Sequence, residues 1–146
     1  MNPGLIGLSV ALGVALLASI TDIRERRIPN TLIVTGLVAT SALAVVGGWW
    51  VDALAGSGLG MVLLALPRLV ARDAVGLGDI KLAGVLGIGT GMAVIVVAIG
   101  IAVVAAMPVF VWGARSGRRC RVLPFSPFLA TGVVGCMAVH LAAGGG

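Results

Sequence analysis

Five stretches without a charged side chain, residues 1–21, 28–51, 53–67, 82–114 and 122–146, leave this sequence little choice of fold. A helix needs about 20 mostly apolar residues to cross the hydrocarbon of a bilayer. The chain is 60% hydrophobic and 10% charged, whereas soluble domains hold roughly 45–50% apolar residues. These runs read as the spans of an integral membrane protein, all-α and polytopic, with residues 1–146 forming a single membrane-embedded domain.

The formal charge of +5 falls in three short clusters: Arg24, Arg26 and Arg27; Arg68, Arg72 and Lys81; and Arg115, Arg118, Arg119 and Arg121. Short loops rich in Lys and Arg stay in the cytoplasm. No aromatic residues are interleaved with them as base stacking requires, so no nucleic-acid partner is expected. The first apolar run lacks a basic region before it and has its positive charges after it, the reverse of a secretory signal. It reads as a first spanning helix with its N-terminus outside. Cys120 and Cys136 have neither the spacing nor the setting of a disulfide or metal site. His140 reads as a helix-end residue, and no metal or cofactor is implied.

Three cytoplasmic clusters require an even number of crossings between each pair. The interval 28–67 divides at GGWWVDA, where Trp49 and Trp50 suit an interfacial aromatic belt and Asp52 the outer water. The run 82–114 would be about 50 Å long as one helix, against a hydrocarbon core of about 30 Å. Two crossings meet the parity, with the break at GIGTG, residues 87–91, because clustered glycines end helices readily. About six transmembrane helices result, the fourth short and both termini outside. Gly56 with Gly60 and Gly87 with Gly91 have the spacing that lets membrane helices pack closely.

Only five acidic residues are present, and two of them recur in one setting: Asp22-Ile23-Arg24 and Asp79-Ile80-Lys81. Ionisable groups at membrane depth are costly and mark functional candidates. Both carboxylates are expected at the cytoplasmic face. Facing each other, two carboxylates can share one proton, because the first ionisation opposes the second. Such a pair can activate water and protonate a carbonyl or leaving amine, which is peptide hydrolysis by general acid and base. Gly76 and Gly78, beside Asp79, give the backbone freedom that would let a substrate strand approach. Alternatively, Asp79 caps a short helix and pairs with Lys81, while Asp22 offsets its neighbouring arginines.

The segment Gly76-Leu77-Gly78-Asp79, followed by Ile80-Lys81-Leu82, resembles the GxGD signature of membrane aspartic peptidases. The Asp22 segment, ending in Ile28-Pro29-Asn30, and Pro124-Phe125-Ser126-Pro127-Phe128-Leu129-Ala130 resemble two further motifs of the prepilin peptidases, or type IV leader peptidases. That resemblance implies a peptidase that removes the short leader from type IV pilin-like precursors at the cytoplasmic membrane face of a bacterium or archaeon. It places Asp22 and Asp79 at the catalytic positions. Many members also carry a region with paired Cys-x-x-Cys motifs linked to methylation of the new N-terminus; such motifs are absent here, and the short, peptidase-only form is expected. The presenilin-like branch uses a Pro-Ala-Leu motif, for which this sequence offers only Ala65-Leu66-Pro67 in another order.

The expected partners are pilin-like precursors and the lipid bilayer. Supporting roles are assigned to Gly76, Gly78, Lys81, Pro29 and Asn30. Asn30 also reads as a cap for the second helix, Lys81 as a holder of Asp79 or a lipid phosphate, and Asp73 and Glu25 as contacts for a basic leader. Pro124 and Pro127 suit the first turn of the last helix. A different reading is a small scaffold or an ion- or proton-coupled transporter subunit using the same aspartates. The coupled acids predict a two-limbed pH profile of cleavage, measured as initial rates across the acidic to neutral range. A flat profile would count against the pair.

Overall fold

The computed structural model describes residues 3–25, 28–70, 75–115 and 125–144. They form five helices: α1 (Pro3–Glu25), α2 (Asn30–Gly47), α3 (Trp50–Val70), α4 (Leu77–Arg115) and α5 (Ser126–Gly144). Arg26, Arg27, Arg72, Asp73, Arg118, Arg119, Cys120, Arg121 and Pro124 lie outside the described residues. Four helices are long and apolar enough to cross a membrane, over Leu5–Glu25, Asn30–Gly47, Trp50–Leu69 and Leu77–Val109, with a shorter apolar helix over Ser126–Ala142.

Gly91 interrupts α4 with φ 78° and ψ 175°, a conformation a side chain would strain, so the break falls inside the GIGTG segment. It separates an arm over 77–90 from one over 92–115. The first arm is about 21 Å long at 1.5 Å per residue, shorter than a bilayer core. Across the break, the Met92 N–H donates to Asp52 Oδ1 at 3.2 Å. A carboxylate from α3 thus caps the second arm, satisfying a donor that the break leaves free. Asp52 is exposed, and no spacing rule pointed to this bond.

Helix α3 and the first arm of α4 run antiparallel with their backbones nearly touching. A Cβ on Gly56 would come within 2.6 Å of the Gly87 carbonyl oxygen, and one on Gly60 within 2.9 Å of the Ala83 carbonyl oxygen. The spacing of four therefore serves close packing as anticipated. The second arm lies antiparallel to α5: the Cys136 thiol approaches the Val94 carbonyl, while Gly132 meets the Ala98 backbone. The apolar core runs along the bundle through Ala11, Val14 and Ala18 of α1, Leu82, Val85 and Leu86 of α4, and Leu129 of α5. Trp49 does more than mark an interface, since its ring is half-buried against a smaller cluster of Ala44, Ala53 and Ile88. Trp50 is exposed.

Removing the Asp52 acceptor should cost about 1 kcal/mol, the usual worth of an N-cap. Asp52→Ala should accordingly lower the melting midpoint in detergent, while Asp52→Asn, which keeps an acceptor oxygen, should lose less.

Candidate active site

The two aspartates of the repeated sequence pattern come together at one end of the bundle. Asp22 lies in the last turn of α1 and Asp79 in the first turn of α4, and both are buried, with 8% and 5% of their surfaces exposed. They are close enough for the charge of Asp22 to act on Asp79. Buried carboxylates need partners, because transfer from water is costly unless hydrogen bonds or opposite charges replace it.

Each aspartate receives one partner. The carboxyl of Asp79 reaches back to the backbone N–H of Gly76, as an acidic residue in the first turn does in a capping box. A Cβ on Gly76 would stand 3.1 Å from Asp79 Oδ2, so glycine leaves that oxygen its room. Asp79 Oδ1 is buried and has no hydrogen-bond partner among the described residues. Asp22 Oδ2 accepts a short hydrogen bond from the hydroxyl of Ser126, the first residue of α5, which is fully buried.

Helices α2 and α3 reach the same place. Ile28, just ahead of α2, sets its Cδ1 3.3 Å from where a Cβ on Gly78 would be, so the glycine admits this isoleucine beside Asp79. Arg68, in the last turn of α3, donates through Nη1 to the Val75 carbonyl at 2.6 Å. This charge-assisted bond anchors the strand of chain immediately ahead of Gly76. Ends of all five helices therefore converge around the carboxylates.

The other sequence-derived candidates sit farther out. Lys81 is exposed and forms no ion pair with Asp79 among the described residues. Asn30 is exposed and does not cap α2: it is the first helical residue, and the cap position belongs to Pro29, which offers no side-chain bond. The Pro29 carbonyl instead accepts from the N–H groups of Leu32 and Ile33. Glu25 is exposed at the end of α1, and Pro127 stands in the first turn of α5 as expected. Ser126 and Ile28 stood inside motif segments and Arg68 in a basic cluster, but none had a role of its own in the sequence. For Ser126 a signal was present: serine is favoured at the start of a helix, where its hydroxyl is not committed to a bond within the helix.

Two buried carboxyls at converging ends of membrane-length helices define a membrane protein with a paired-aspartate site. The sequence matches the Type IV leader peptidase family over residues 9–111, and the chain belongs to that family. It is also similar to the prepilin leader peptidase/N-methyltransferase of Bacillus subtilis (strain 168), with 27% identity over 129 residues, covering 86% of this chain and 52% of that relative. The chain therefore spans about half the length of this curated relative. No solved structure matches it.

The packing of Ile28 on Gly78 gives a direct check on the local geometry. Gly78→Ala should lower stability by about 1 kcal/mol through overpacking. Ile28→Val, which removes the Cδ1 nearest the new methyl group, should recover part of that loss in the double variant, as read from melting curves in detergent.

Proposed function

We propose that this chain is a membrane aspartic endopeptidase of the GxGD type that removes the leader from type IV pilin-like precursors at the cytoplasmic membrane face. The observation that carries the reading is the burial of both Asp22 and Asp79 at a convergence of helix ends, in a member of the leader peptidase family. The relative from Bacillus subtilis is named for prepilin leader cleavage, which supports the same substrate class. No relative supports the scaffold or transporter alternative.

In the proposed reaction the pair holds one proton. The ionised carboxylate takes a proton from water as the water oxygen attacks the scissile carbonyl, and the protonated carboxyl gives its proton to the carbonyl oxygen. The carboxyl now protonated gives its proton to the leaving amine as the C–N bond breaks, while the other carboxylate takes one from a hydroxyl of the tetrahedral intermediate, so that the pair again holds one proton. Asp79 Oδ1, buried and free of partners among the described residues, is suited to engage that water.

Topology supports this placement. The break at Gly91, the short first arm and the antiparallel run of the second arm along α5 fit a chain that turns back at Gly91 and crosses six times. Both termini would then lie outside, with Asp22 and Asp79 near the cytoplasmic surface. Gly76 and Gly78 support the catalytic loop in this scheme, Pro29 and Asn30 flank it, and the exposed Lys81 is available to a lipid phosphate or to substrate.

The test is co-expression with a pilin-like precursor and mass measurement of the product. Wild type should remove the leader, and Asp22→Asn and Asp79→Asn should each lose cleavage by about 10²–10⁴-fold at normal protein levels. Cleavage surviving in either variant would make that aspartate structural.

A further inference from the structure

We infer that Ser126 is a positioning residue for Asp22, holding one carboxyl oxygen so that the other is presented to Asp79 and the scissile bond. The inference rests on the peptidase reading above. It begins with where the other hydroxyls go. Ser9, Ser19, Thr35, Thr40 and Thr90 all donate to the carbonyl four residues back in their own helices, at 2.8 to 2.9 Å. Such back-bonding is the ordinary fate of a hydroxyl inside an apolar helix.

Ser126 is different because α5 begins with it. Its fully buried hydroxyl crosses to α1 and donates to Asp22 Oδ2. The position is fixed from a second side. Ser19, one turn before Asp22, also lies 3.1 Å from the backbone carbonyl of Ser126 and donates to it. The two serines thus bind the start of α5 to the last turns of α1 by reciprocal contacts.

The consequence is a division of the four carboxyl oxygens. Ser126 takes Asp22 Oδ2, and the Asp79 carboxyl turns its Oδ2 toward Gly76. Asp22 Oδ1 and Asp79 Oδ1 remain for water and substrate. Without the hydroxyl, the Asp22 carboxyl is free to rotate about its last side-chain bond, and small losses of orientation slow the chemical step more than they weaken binding.

Two measurements on Ser126→Ala decide this. Kinetics with a purified precursor in detergent should show kcat reduced about 10- to 100-fold with KM within about twofold of wild type. A double-mutant cycle of melting midpoints for Ser126→Ala and Asp22→Ala should show coupling between the two sites. An unchanged kcat would overturn the proposal, as would a fall in kcat accompanied by no coupling to Asp22. If wild type cleaves no precursor, the peptidase reading fails, and the melting cycle still decides whether Ser126 holds Asp22.

Discussion

A helix that ends inside an apolar bundle leaves backbone N–H and C=O groups with no water to turn to, and this constraint shapes the molecule. Near the carboxylates, side chains from other helices bind the backbone where helices start. Arg68 of α3 holds the Val75 carbonyl ahead of α4, and Ser19 of α1 holds the Ser126 carbonyl at the head of α5. At the other end of the first arm, Asp52 takes the Met92 N–H that the Gly91 break sets free. Of the buried polar side chains, Asp22, Asp79 and Ser126 stand in terminal turns, while Thr40 bonds within the middle of α2.

The close approach of α3 and α4 gives the site its footing. Because Gly56, Gly60 and Gly87 let the backbones nearly touch, α3 and the first arm form one antiparallel unit with a fixed register. That register sets Arg68 opposite Val75 at one end and Asp52 opposite Met92 at the other. Side-chain packing alone, between larger residues that can change rotamer, would hold the GLGD segment less firmly.

The apolar runs, the break among clustered glycines and the two candidate aspartates were legible in the sequence because each is a local signal of residue type and spacing. Asp22 and Asp79 stood out simply because carboxylates are rare among apolar residues. What could not be read were the bonds between distant positions. Ser126 and Asp22 are 104 residues apart, and Asp52 and Met92 are 40 apart, so no spacing rule connects them. Asn30 misled for the opposite reason: its residue type suits a cap, but α2 starts one residue earlier than such a cap requires, with Pro29 in the cap position. Trp49 was read from its chemistry as an interfacial ring, and its packing on Ala44, Ala53 and Ile88 was not legible.

The end of the bundle away from the aspartates is closed by backbone packed on backbone, where Gly7 meets Gly89 and the ring of Trp49 lies over Gly7. Between that seal and the carboxylates, α1 and α4 contribute Leu8, Ala11, Val14, Ala15, Leu82, Val85 and Leu86, all buried and all without a polar side-chain atom. Polar side chains border this stretch: the buried Thr40 gives its hydroxyl to the Gly36 carbonyl of its own helix, and the Ser57 hydroxyl lies 3.4 Å from where a Cβ on Gly84 would be. The two acids thus stand at one end of an apolar packing and the glycine seal at the other, about 15 Å apart by the rise of the ten residues from Asp79 to Gly89.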